Sequence, residues 1–202
     1  MSPRPRKATD EAVFAAAVKV MERVGPAELT LAAIAEEAGV TPAALVQRFG
    51  SKRELLVALS RRAAAGAPAM IAALRARHGS PLAVIRAFAA GYAGLARSPD
   101  ALARNLAYLQ LDLTDPELHR PLLAQARVTG RALTRLAAEA VAAGELRPGT
   151  RPAGVARLVE TVISGSLMTW AVRRRGTAAA WLRRDLELAL GPHLAPPRRP
   201  RR

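Results

Sequence analysis

The sequence predicts an all-α protein, and three features carry that prediction. Ala and Leu supply the bulk of the apolar content, both strong helix formers with little β preference, while aromatic residues make up only 3%. Val and Ile never fall into the alternating runs that a half-buried strand needs. Pro, Gly, Ser and Thr gather in short breaks, between which apolar residues repeat at spacings of three and four. About nine helices follow. They divide into an N-terminal three-helix helix-turn-helix domain (residues 9–56) and a C-terminal helical bundle (57–194), flanked by basic flexible tails at 1–8 and 195–202.

The first helix runs from about Asp10 to Val24, where Val13, Ala17, Val20 and Val24 build one apolar stripe, and Gly25-Pro26 ends it. A short second helix covers Leu31 to Ala38, with Thr30 as its N-cap, and Gly39 breaks the chain. Thr41 followed by Pro42 then opens a third helix, Pro42 to Arg48, with a cap and a first-position proline. Ser51 caps a fourth that continues past Leu59. Beyond residue 66 the breaks fall at Gly66-Ala67-Pro68, Gly79-Ser80-Pro81, Ser98-Pro99, Asp115-Pro116, Gly144 to Pro152 and Gly176. They leave about six helical segments, the longest starting near Pro116 and Pro152.

Leu31 to Phe49 carries the sharpest signal. Two helices that cross steeply need a small residue at the contact, a residue tolerant of positive φ in the turn, and an apolar anchor beneath the second helix. Ala35, Gly39 and Leu45 stand at those places, with Ile34, Ala38 and Val40 as the buried flank. With Leu45 and Phe49 turned inward, a step of about 100° per residue puts Ala43 and Gln47 at the centre of the outer face, Val46 and Arg48 at its sides. Such a face suits a major groove, where Gln bonds to adenine and Arg to guanine. An ordinary helical hairpin is the competing reading.

Val13 to Leu56 resembles the DNA-binding domain of the tetracycline-repressor (TetR) family of bacterial regulators. The resemblance rests on Ala16-Ala17, Gly25, Leu29-Thr30, Ile34-Ala35, Ala38-Gly39-Val40-Thr41, Leu45, Phe49, Ser51-Lys52 and Glu54-Leu55-Leu56. It implies that Thr30 and Lys52, each at a helix start, hold phosphates. It also implies that Thr41, Pro42, Ala43, Gln47 and Arg48 line the groove. Arg4, Arg6 and Lys7 either reach the backbone or a minor groove, or belong to a disordered arm. Where the family usually has Tyr after the Leu45 position this chain has Val46, and Arg48 stands where His or Tyr is frequent. The lost hydroxyl removes a phosphate contact that Arg48 could replace.

Family members typically dimerise through their last two helices. Val155, Leu158, Val159, Val162, Ile163, Ser166 and Trp170 repeat at three and four, and Leu182, Leu186 and Leu190 stripe the final helix. These form the expected dimer interface; closure of the monomer's own core is the alternative. A dimer also doubles the site that one helix-turn-helix can read. Candidate linings for a small-molecule pocket are Tyr92, Tyr108, Gln110, Asp112, Met168 and Trp170, with an ordinary core or surface role as the competing reading for each.

The net charge of +15, from 31 Lys and Arg against 16 Asp and Glu, favours a polyanionic partner, although base composition alone can fill a chain with Arg. With no cysteine, disulfides, thiolate metal sites and cysteine nucleophiles are excluded. No phosphate-binding glycine loop or nucleophile elbow is present, and His78, His119 and His193 lie far apart. No catalytic residue, metal or cofactor is therefore expected. The longest uncharged stretches, 63–74 and 161–172, are too short to span a bilayer, so a cytoplasmic protein without a membrane partner is expected. The expected function is a sequence-specific transcriptional regulator, a repressor released from its double-stranded operator by an unidentified ligand. The alternative is a basic protein that coats nucleic acid without sequence preference.

Overall fold

The structure is a computed structural model that describes residues 8–196. Arg4, Arg6, Lys7 and the basic tail from Arg198 to Arg202 lie outside the described residues. Among those described there are nine α-helices and no strand beyond one isolated bridge, Leu146 to Leu194. They are α1 (Asp10–Arg23), α2 (Leu31–Ala38), α3 (Pro42–Phe49), α4 (Lys52–Arg77), α5 (Pro81–Gly91), α6 (Pro99–Thr114), α7 (Pro116–Ala142), α8 (Pro152–Arg173) and α9 (Ala178–Leu190). Most starts carry the expected device. Thr30, Thr41, Ser80 and Thr177 each accept a hydrogen bond from the backbone three residues on, which satisfies one of the free N–H groups of the first turn.

The expected break at Gly66-Ala67-Pro68 is absent. Helix α4 runs through it with Pro68 inside, for 26 residues, so it is longer than the 22-residue α8. An interior proline costs about 3 kcal/mol in an isolated helix. Here Ala67 and Ile71, one turn apart on one face, are buried, and Arg75 beyond them forks onto both oxygens of Glu139 at 2.8 and 2.9 Å. Tertiary packing overrides the local signal. By length and composition α4 and α8 could each cross a bilayer, which uncharged stretches alone did not suggest; 28% and 39% of their apolar windows are buried within the protein.

The chain divides into two compact units that do not follow chain order. One holds the residues up to Ala65 together with Ala103–Ala124; the other holds Gly66–Leu102 and the residues from Gln125 onward. The core of the first joins Val13, Ala17 and Val20 of α1, Leu29, Ile34 and Ala35 around α2, Leu45 of α3, Leu55 of α4, and, from far along the chain, Tyr108 and Leu118. The Tyr108 hydroxyl donates to the Val24 carbonyl at 3.1 Å. Arg53 clamps Asp115 through two bonds of 2.6 and 2.7 Å. Chain order had assigned these later residues to the bundle.

In the second unit α8 packs on α9, and α5 packs on both. Val155, Val159, Ile163, Ser166 and Trp170 of α8, with Leu182 and Leu186 of α9, are buried in this unit, and Leu190 with them. They were expected to face a partner chain; their burial means that they close the protomer's own core. Leu158 and Val162 are half-buried. Ser166 donates to Asp185 at 2.8 Å, and the Trp170 indole donates to the Gly176 carbonyl at 3.1 Å, pinning the α8–α9 turn. At the chain's far end Arg147 N–H donates to the His193 carbonyl and Ala195 N–H to that of Glu145. The Glu145 carboxylate in turn accepts from Leu82 N–H at the start of α5.

Candidate nucleic-acid interface

Helices α2 and α3 meet through Ala35, which is fully buried, so the two backbones can approach closely. The turn between them hinges on Gly39, whose φ of 66° and ψ of 34° are left-handed. Its N–H donates to Glu36 at 3.2 Å, and Val40 N–H reaches back to Ala35 at 2.9 Å, the paired bonds of a Schellman ending. Thr41 then takes extended backbone and caps α3 through Ala44 N–H at 3.2 Å. Leu45 is sealed beneath α3, which turns Thr41, Pro42, Ala43, Val46 and Gln47 to solvent. Thr30 is exposed at the start of α2, its hydroxyl on Ala33 N–H.

Two of the expected contacts are already engaged within the protein. The Arg48 guanidinium donates to the Ala8 carbonyl at 2.6 Å and pairs with the Asp10 carboxylate. It also lies 5.6 Å from the centre of the Phe49 ring. Phe49 contacts Phe14 at 5.7 Å, and Arg62 lies over Phe14 from the α4 side while bonding Glu11 at 2.8 Å. Two rings in contact, with a cation at each end, thus tie α1, α3 and α4 together. Lys52 is half-buried and donates to the Pro26 carbonyl at 3.2 Å. Arg4, Arg6 and Lys7 fall outside the described residues. Neither Asp10 nor Phe14 was singled out from the sequence. An acid in a first helical turn reads as a dipole partner, and nothing local marks a pair 38 residues apart.

Residues 13–59 match the family described as "Bacterial regulatory proteins, tetR family". This segment is a DNA-binding domain of the TetR family type. The TetR assignment makes the helix-turn-helix a DNA-binding one and the protein a transcriptional regulator. Among solved structures it is similar to a TetR transcription regulator from Haloarcula marismortui, at 16% identity and a TM-score of 0.75, covering 92% of this chain and 97% of that one. The multidrug-efflux repressor SmeT of Stenotrophomonas maltophilia aligns at 24% identity and a TM-score of 0.64, covering 96% and 94%. FadR of Bacillus subtilis, solved with stearoyl-CoA, aligns at 19% identity and 0.68, covering 90% and 97%. No curated protein matches in sequence. At these identities the likeness shows that the TetR fold extends over both units.

The residues put forward for a ligand do not form one lining within either unit. Tyr108, Gln110 and Asp112 belong to the first unit, Tyr92, Met168 and Trp170 to the second. Met168 is 47% exposed and Trp170 only 4%, so they face opposite sides of α8. Gln110 is exposed. Tyr108 is occupied by Val24, and burial pushes its hydroxyl up to about 12. Burial, and then the Glu160 charge, raises Tyr92, whose ring sits edge-on to Phe88 at 5.4 Å. Burial also raises the Asp112 carboxyl above its ordinary value. Among the described residues no group of three or more His, Asp or Glu is placed to hold a metal ion.

Proposed function

We propose that this TetR-family regulator is a cytoplasmic homodimer that represses transcription from a two-fold operator and is released by a small molecule. The observation that carries the reading is the outer face of α3, where Thr41, Pro42, Ala43 and Gln47 are exposed together while Leu45 beneath them is sealed. Gln47 reads a base edge; Thr30 and the first turn of α3 meet phosphates.

The pairing surface differs from the stripe first expected. The face of α8 opposite its buried side presents Thr161, Ser164, Gly165, Met168 and Val172, with Met168 47% and Val172 81% exposed. Leu188 on α9 is 77% exposed. A Cβ built on Gly165 meets nothing within 4 Å, so a second helix backbone has room to come close. Isologous contact of this face with itself gives the two-fold symmetry that a palindromic site mirrors.

Release follows if a ligand binds one arrangement of the dimer more tightly than another, and only in proportion to that difference. SmeT is named a multidrug-efflux repressor and the FadR structure holds an acyl-CoA; an apolar ligand class fits a bundle as rich in Ala and Leu as this one. The test is selection of genomic fragments by the purified protein at near-physiological salt, followed by sequencing. A shared palindrome supports the regulator. Retention without a common site favours the coating protein.

A further inference from the structure

Helix α3 carries a single charged side chain, Arg48. On a helix that enters the major groove, such a residue is the natural reader of guanine, because its paired N–H groups fork onto O6 and N7 of that base. Here both ends of the fork are engaged. One terminal nitrogen donates to the Ala8 carbonyl at 2.6 Å and the other pairs with the Asp10 carboxylate. The group also lies 5.6 Å from the centre of the Phe49 ring.

The receiving groups are themselves held. Thr9 caps α1 by accepting from Ala12 N–H at 3.2 Å, and Val13 N–H donates to the Thr9 carbonyl at 3.1 Å. The start of the helix therefore fixes the backbone that presents the Ala8 carbonyl and the Asp10 carboxylate. Asp10 stands in the first turn of α1, where the helix dipole favours an acid. A planar guanidinium meets both acceptors at once, which an ammonium does not. An exposed ion pair alone would hold Arg48 weakly; the carbonyl bond and the ring add to it.

The rest of the outer face of α3 consists of Ala43, Val46 and Gln47, all exposed, Val46 by 49%. Gln47 suits N6 and N7 of adenine, and small apolar groups pack on the thymine methyl. With Arg48 engaged, no side chain on that face has N–H donors on two separate nitrogens, the arrangement that the bidentate guanine contact uses.

We propose that Asp10 is a specificity-determining residue for the operator. By holding Arg48 it withholds the guanine reader of α3 and leaves Ala43, Val46 and Gln47 to select A·T pairs. The proposal rests on the operator-binding reading above and names the base chemistry within it.

The experiment is selection from a randomised duplex library by the full chain and four variants. These are Asp10→Asn, Asp10→Ala, Arg48→Ala, and Asp10→Ala combined with Arg48→Ala; thermal melting of each checks that it is folded. In the full chain the base pairs facing α3 come out A·T. Both Asp10 variants gain a guanine preference at one pair of each half-site, about 5- to 150-fold for a bidentate arginine, and the combined variant loses it again. A guanine preference in the full chain that Arg48→Ala abolishes overturns the proposal, because Arg48 then reads DNA with Asp10 in place. So does a base profile in both Asp10 variants identical to that of the full chain. If no sequence is preferred over random DNA, the operator reading fails instead, and salt dependence on random DNA judges the hold of Asp10 on Arg48. Release of Arg48 onto a phosphate steepens the slope of log affinity against log salt by up to about 0.9 in Asp10→Ala but not in the combined variant. Equal slopes in those two variants overturn it.

Discussion

Replacing Gly39 by Ala tests the geometry of the turn while leaving its neighbours untouched. A Cβ built there meets nothing within 4 Å, while φ is +66°, so the substitution adds backbone strain alone. Holding an L-residue in this region costs about 1–2 kcal/mol. Ala also narrows the unfolded ensemble, which returns about 0.4–1 kcal/mol. The net loss is about 1 kcal/mol, a shift of roughly 0.5 M in the urea midpoint for a slope near 2 kcal/mol per M. Gly39→Asn loses less, since Asn tolerates left-handed backbone. Gly50→Ala loses more. Its φ of 82° and ψ of −64° fall outside the left-handed well, and its Cβ would also displace the Glu54 carboxylate, a flexible group. Urea unfolding followed by circular dichroism gives the three midpoints. A midpoint for Gly39→Ala unchanged, or lower by more than about 1.5 M, would refute the reasoning, as would Gly50→Ala being the milder change.

Three further outcomes are expected. Met168→Asp with Val172→Asp yields a folded monomer in analytical ultracentrifugation, whereas Leu182→Ala keeps the dimer but lowers stability by about 2–5 kcal/mol; a dimeric double variant removes the proposed pairing face. Gln47→Ala costs about 1–3 kcal/mol at one base pair of each half-site and relaxes preference there, read by binding to an operator library. Arg53 hydrogen-bonded to Asp115, with the Glu117 backbone N–H beside it, holds that carboxyl below its ordinary value. A depressed folded value means stability that is complete above the unfolded value, near pH 4, and lost as the pH falls through the folded one. Glu37 beside Arg23 and Glu139 beside Arg75 act in the same direction, whereas Asp112, raised by burial, gains on acidification. Melting profiles from pH 2 to 7 should therefore be flatter on the acid side in Asp115→Asn; an identical profile contradicts the assignment.

Local rules explain which parts of this fold the sequence makes legible. Thr30, Thr41, Pro42 and Gly39 act within four residues of themselves, and α2 spans the expected Leu31 to Ala38. Pro68 misleads because its local cost is outweighed by burial of Ala67 and Ile71, contacts that no short window contains. The stripe on α8 misleads for another reason. Apolar spacing shows that a face is buried, but not whether its own chain or a second copy covers it, and Val159 and Ile163 are covered by their own. Arg48 shows the same limit at the DNA face: its place on the wheel was readable, its bond to Asp10 was not.

The attachment of residues 103–124 to the first unit bears on how this protein is made. Tyr108 and Leu118 belong to the core around α1, α2 and α3, so the DNA-binding segment emerges from the ribosome before part of its interior exists. At roughly 5–20 residues per second, about 3–12 s of translation separate Ala65 from Ala124. During that interval Leu29, Leu45 and Leu55 lack the cover that Tyr108 and Leu118 later supply. Slow codons between 66 and 102 would lengthen that exposure, and a chain released early within that stretch would carry the whole helix-turn-helix with its core still open.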